Sequence, residues 1–99
     1  MRVVERITGT AGAYVLTGTV SRDECGRYVA HAATYRLREC PSTRALRSVV
    51  TPQASGPDIE AQGATAPEAR TRLCVEARQQ LGSPVTSFQW RPVLVVVAQ

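Results

Sequence analysis

Apolar and polar residues in the first third of the chain follow the pattern of β-strands. Residues 14–20 and 27–37 are rich in β-branched and aromatic side chains, which fit the pleated surface of a sheet. Residues 21–26, which connect them, carry turn-forming polar side chains and end in Gly26, which can adopt a positive φ. The two stretches are therefore predicted to pair as a β-hairpin.

The second strand of this hairpin is predicted to bury one of its two faces. Side chains along a strand alternate between faces at period two. The face expected to point into the core carries Val29, His31, Ala33, Tyr35 and Leu37. The face expected to point away from it carries Tyr28, Ala30, Ala32, Thr34 and Arg36.

Further strands are predicted towards both ends of the chain. Residues 3–8 favour an edge strand that ends in the glycine-containing turn 8–12. Residues 85–90 and 93–98 are rich in β-formers, and Pro92 separates or bends them because proline cannot donate a ladder hydrogen bond. The second of these stretches is wholly apolar, so we expect the helix or a partner chain to cover it. The expected partner is an unidentified protein, with a homodimer formed through this C-terminal strand as one arrangement.

The clearest helix signal begins at Thr65. Threonine can cap the first free amides, Glu68 can return the bond, and Pro67 is tolerated in the first turn. Gly82 provides a left-handed stop, so the predicted helix covers residues 66–81. Its apolar stripe consists of Ala69, Leu73, Ala77 and Leu81. Its solvent side is expected to carry Arg70, Arg72 and Arg78.

These elements predict a small single-domain α+β protein over residues 1–99. The expected architecture is an antiparallel sheet of about four strands in β-β-β-α-β order, with one main helix packed on one face. The chain has 99 residues, of which 43% are hydrophobic, which suits one compact core. Three prolines lie in residues 39–57, and this segment is predicted to be a mobile loop.

Residues 59–69 carry a group of positions that points to a known family. Gly63, Thr65 and the pair Glu68 and Ala69 follow the predicted hairpin and open the helix. This arrangement resembles the strand-to-helix junction of HicB-like antitoxin domains. The resemblance implies a three-stranded antiparallel sheet with a helix across it and a further strand after the helix. It implies an order of elements and assigns no binding residues.

The charge of the chain suggests one candidate contact surface. All 12 basic side chains are arginines, and the net charge is +4. The end of the predicted hairpin and the segment after it carry Arg36, Arg38, Arg44 and Arg47. These four side chains would suit phosphate or partner contacts along one edge of the domain. A solvated basic edge with no ligand is the simpler alternative.

The residues typical of catalysis do not form a coherent set in the sequence. His31 is the single histidine, and it is either a structural residue or a general base or ligand. The three cysteines, Cys25, Cys40 and Cys74, are widely spaced, which favours reduced thiols, with a Cys25–Cys40 bridge as the alternative in an oxidising compartment. We therefore predict no catalytic residue, no cofactor and no metal site.

The sequence therefore predicts a cytoplasmic, non-catalytic protein-interaction module. Charges interrupt the N-terminal stretch where a secretory signal needs apolar residues, and no run approaches the roughly 18 apolar residues of a membrane span. The alternative function is nucleic-acid binding, which would be weak, through the arginine edge formed by Arg36, Arg38, Arg44 and Arg47.

Overall fold

A computed structural model describes residues 1–36 and 56–93. Within these ranges the protein is the predicted small α+β domain with one helix packed on an antiparallel sheet, and the sheet has five strands where about four were predicted. The elements are β1 (Arg2–Ala11), β2 (Tyr14–Arg22), β3 (Tyr28–Arg36), β4 (Ile59–Gly63), α1 (Ala66–Leu81) and β5 (Val85–Pro92). The strand order in the sheet is β4-β3-β2-β1-β5.

The predicted hairpin is confirmed as the antiparallel pair β2 and β3. An Oδ1 oxygen of Asp23 holds its turn by accepting hydrogen bonds from the backbone N–H groups of Cys25 and Arg27, both at 2.9 Å. Gly26 follows with φ at 82°, a conformation that costs glycine little. Local turn chemistry therefore fixes the register between the two strands.

The prediction of an edge strand at residues 3–8 is wrong in both position and length. The strand β1 continues to Ala11 and lies inside the sheet, between β2 and β5. The chain turns only at Gly12 and Ala13. Gly9 belongs to the strand because β5 packs closely over it, and a Cβ at this position would lie 3.3 Å from side-chain atoms of Phe88 and Val85.

The predicted orientation of β3 is also wrong, because the core-facing set is the other one. Ala30, Ala32 and Thr34 are buried beneath the helix, whereas His31 is exposed. Their small side chains leave room for α1 to approach the sheet. The Thr34 hydroxyl is satisfied in this position because it donates a hydrogen bond to the carbonyl oxygen of Pro57 at 2.8 Å.

The helix has the predicted bounds. Thr65 Oγ1 accepts a hydrogen bond from the Glu68 N–H at 3.2 Å, and Gly82 ends the helix at φ 73° with its N–H donating to the Arg78 carbonyl. Ala69, Leu73 and Ala77 form the buried stripe. The core lies between this stripe and the helix-facing side of the sheet, to which Ile7, Leu16, Val20, Ile59 and Ala61 contribute.

The last strand, β5, ends at Pro92, the proline that was predicted to separate or bend the C-terminal strands. Pro92 pairs with Glu5, whereas the neighbouring Val93 N–H donates to the Val4 carbonyl at 2.8 Å. Because hydrogen-bonded and non-hydrogen-bonded pairs alternate in antiparallel sheets, the proline nitrogen points away from β1 and the ladder loses no bond. The irregularity lies instead near Ser87, where φ is 52° and the register shifts.

Two predictions fall on residues that the structure does not describe. Most of the predicted mobile loop 39–57 lies outside the described ranges, which resume at Gly56. The apolar stretch 93–98 is described only at Val93, so the predicted C-terminal dimer contact also lies outside them. Among the described residues, no helix combines the length and the apolar character that are needed to cross a membrane.

Candidate functional site

The two faces of the sheet have different surroundings. The helix α1 packs on one face, and the buried core residues lie between it and the sheet. On the other face, which we call the open face, the described ranges 1–36 and 56–93 place no helix or strand. Antiparallel sheets with one face in water are common, so the open face is a candidate binding surface only if its residues suit a partner.

A row of polar side chains crosses the whole width of the open face. The strand register places Arg6 opposite both Arg91 and Thr19, and Thr19 opposite His31. His31 in turn lies opposite Glu60. Each of these residues lies between neighbours that face the helix side, so all of them project from the open face. We call this set the charged row: Arg91, Arg6, Thr19, His31 and Glu60.

The positive end of the charged row holds two arginines that face one another. Arg6 and Arg91 are direct cross-strand partners, and both are exposed. Side chains at such positions have Cβ atoms about 5 Å apart, and like charges there are destabilising. Within residues 1–36 and 56–93 neither guanidinium group has an ion-pair partner, whereas a negatively charged group placed over the pair would be stabilised by both.

The negative end of the charged row lies on β4. Glu60 is exposed opposite His31, and Asp58 comes within reach of the same histidine, with Oδ2 at 3.9 Å from His31 Nε2. The two acids therefore flank the imidazole of His31, at the β4 edge of the sheet. The open face has two basic side chains at one end and two acidic side chains at the other.

The remaining residues of the open face are mainly threonine, valine and small side chains. Threonines pair with one another at Thr8 and Thr17, and Val15 pairs with both Thr10 and Tyr35. The Thr10 hydroxyl lies 3.0 Å from that of Thr86 on β5. These short and β-branched side chains form a flat surface around the charged row. Another flat surface could approach it closely.

The predicted arginine edge is only partly within the described residues. Arg36 is exposed at the end of β3, opposite Tyr14. Because it lies two residues after Thr34, it shares the helix-facing side of the sheet with Thr34 and does not belong to the open face. Arg38, Arg44 and Arg47 lie outside the described residues, so the arginine edge stays a prediction.

The other candidate residues do not converge on a reaction centre. His31 lies on the open face and not in the core, about half exposed. The thiols of Cys25 and Cys74 are free, and burial raises the pKa of the Cys74 thiol. Cys40 lies outside the described ranges. Within those ranges, no three histidine, cysteine or acidic side chains are grouped so that they could hold a metal ion.

A second cluster, which the sequence did not reveal, connects the helix to β5. The Arg70 guanidinium donates two hydrogen bonds to the Glu5 carboxylate, at 2.7 and 2.8 Å, and its central carbon lies 4.1 Å from the ring centroid of Trp90. We call these three residues the Arg70 cluster. Arg70 was predicted to face solvent, but its side chain is only 13% exposed.

Trp90 extends the Arg70 cluster to the surface. Its ring is 6.1 Å from that of Phe88, and 49% of the residue remains exposed. No local sequence pattern predicts the contact between Glu5 and Arg70, because these residues are 65 positions apart. A pairing between distant residues could have been found only from the strand order.

The chain matches no protein-family model, no curated protein and no solved structure with which it was compared. Functional inference therefore proceeds from the geometry of the open face and of the Arg70 cluster.

Proposed function

We propose that this protein is a non-catalytic protein-interaction module of the cytoplasm and that the open face is its contact surface. The observation that carries the proposal is the facing pair of Arg6 and Arg91. Two exposed like charges in direct cross-strand contact weaken the isolated domain. They become favourable when an acidic group of a partner lies over them, because complementary charge guides and orients association.

The shape of the open face supports the same proposal. Sheets pack on other sheets through short and β-branched side chains at a separation of about 10 Å. The threonines and valines around the charged row have that character. The open face therefore combines a low packing surface with charges that can set orientation.

The surroundings of His31 favour binding over catalysis. The distance of 3.9 Å to Asp58 exceeds the roughly 2.6–3.2 Å over which a general base and its orienting group share a hydrogen bond. Both side chains are open to solvent, at 48% for His31 and 73% for Asp58. The His31 imidazole at this position serves as one more polar contact in the charged row.

The resemblance of residues 59–69 to HicB-like antitoxin domains stays a prediction. The proposal of an interaction module does not depend on the resemblance.

The proposal is tested by comparing two variants that remove the same number of arginines from opposite sides of the domain. Arg6→Gln/Arg91→Gln alters the open face, and Arg72→Gln/Arg78→Gln alters exposed positions of α1. Each variant is tagged and crosslinked in its native cells, and the proteins joined to it are quantified by mass spectrometry. We expect crosslinked partners to be lost from the open-face variant and retained by the helix variant. Equal recovery with both variants would contradict the assignment of the open face.

A further inference from the structure

We propose that the partner recognised by the open face is a second copy of this chain, packed face to face in a symmetric dimer. This inference rests on the proposed function, because it names the partner of the same surface. It follows from the direction of the charged row, which runs from two arginines on β5 and β1 to two acids at β4.

A twofold axis that runs parallel to the strands, in the plane between the two open faces and directly over β2, makes the charged row complementary to itself. The strand β2 is the middle strand of the sheet, so this operation exchanges its two edges. Arg91 then lies over Glu60 at the β4 edge of the other copy, and Arg6 lies over its His31, which has the Asp58 carboxylate 3.9 Å away. The Thr19 side chains of the two copies face each other beside the axis. The same contacts occur twice, as in every isologous interface.

The charges also exclude the competing orientation. If the second copy were turned so that corresponding edges lay over each other, the arginine pair would face an arginine pair and the acids would face acids. Juxtaposed like charges cost several kcal/mol across an interface. The charged row therefore selects one of the two ways in which the sheets can stack.

The balance of charge on the open face favours a second copy over a uniformly charged partner. The two arginines are matched by the two acids Asp58 and Glu60. A nucleic acid lying across the face would be attracted by Arg6 and Arg91 and repelled at the β4 edge. A copy of the same surface satisfies both ends at once.

The size of the open face is sufficient for an association that depends on concentration. Five strands at about 4.8 Å give a width of roughly 20 Å, and strands of nine residues at about 3.3 Å give a length of roughly 30 Å. Two such faces bury about 1,200 Å² in total, which is the lower end of specific interfaces. We therefore expect a reversible dimer, in equilibrium with the monomer.

Charge inversion with complementation tests the inference. Arg6→Glu/Arg91→Glu makes both ends of the face acidic, and Asp58→Arg/Glu60→Arg makes both ends basic. Sedimentation velocity over a concentration series should show dimerisation of the unmodified protein. Each inverted variant alone should show a dissociation constant raised at least about tenfold. An equimolar mixture of the two variants should form dimers again, because every acid then faces a base.

Matched controls separate this outcome from loss of folding and from other contacts. Arg72→Glu/Arg78→Glu inverts two exposed charges on α1 and should leave the dissociation constant unchanged. Circular dichroism should show the same secondary structure for all variants. Restoration of the dimer in the mixture is itself evidence that both inverted chains are folded.

Three results would overturn the inference. The unmodified protein could remain monomeric at all concentrations, or both inverted variants could dimerise as well as it does. The dimer could also be lost only on substitution of residues 93–98, which would assign the contact to the C-terminal strand. In each case the crosslinking comparison above still decides separately whether the open face binds a different protein.

Discussion

Among single residues, Arg70 has the largest predicted effect on stability. Its guanidinium joins α1 to β1 through Glu5 and to β5 through Trp90, and the paired side chains are only 13% and 15% exposed. We expect Arg70→Ala to lower the free energy of unfolding by about 2 kcal/mol, because it leaves the Glu5 carboxylate shielded and without its hydrogen bonds. Urea denaturation followed by the fluorescence of Trp90, the single tryptophan, measures the loss.

The neighbouring ion pair on the same helix provides the control. Arg72 contacts Glu68 at 2.8 Å, but these side chains are 58% and 38% exposed. Solvent screens such pairs, and helix pairs four residues apart contribute about 0.3–0.5 kcal/mol. Arg72→Ala should therefore change the midpoint of denaturation only slightly. If Arg70→Ala and Arg72→Ala lost equal stability, the Arg70 cluster would not be what stabilises the packing of α1 against β5.

Between elements, one close backbone approach that requires a glycine lies where β4 meets the helix. A Cβ at Gly63 would lie 2.7 Å from the Ala69 nitrogen and 3.1 Å from the Glu68 carbonyl carbon. Helix backbone cannot move aside as a flexible side chain can, so we expect Gly63→Ala to cost about 1–3 kcal/mol of stability. Thermal unfolding by circular dichroism measures the cost.

Gly82 serves as the control for this substitution, since a Cβ there meets no atom within 4 Å although φ is 73°. Asparagine tolerates this left-handed conformation, so Gly82→Asn should cost less than about 1 kcal/mol. A larger loss at Gly82 than at Gly63 would show that backbone conformation, and not the packing of α1 on β4, limits stability.

The sequence predicted the elements better than it predicted their faces. The bounds of α1 depend on Thr65 and Gly82, whose capping contacts are local and therefore legible in a short stretch of sequence. The buried face of β3 depends on Ala30 and Ala32 being small enough for the helix to rest on them. The period-two alternation of a strand defines two faces, and only the contact of β3 with the helix determines which of them is buried.

In the whole molecule, strand order was the feature that local patterns could not supply. The pairing of β1 with β5 joins segments near opposite ends of the described chain, and it places β1 inside the sheet. The charged row depends on that order, because Arg91 and Glu60 become its two ends only when β5 and β4 are the two edges. Each residue of the row was visible in the sequence, but the alignment across five strands was not.

The same strand order predicts how stability is distributed over the fold. The strand β2 is bonded on both sides and its Leu16 and Val20 are buried, whereas β5 is paired, within the described residues, with β1 alone and has a bulge near Ser87. Amides of β2 should therefore exchange with deuterium only on extensive unfolding, and those of β5 through local opening. A difference of about 3 kcal/mol between the two opening free energies corresponds to roughly a hundredfold in exchange rate. Deuterium exchange followed by mass spectrometry measures the ratio of the two exchange rates on the Arg6→Glu/Arg91→Glu variant, in which dimerisation is suppressed. Equal protection of β5 and β2 would mean that the sheet opens as one unit.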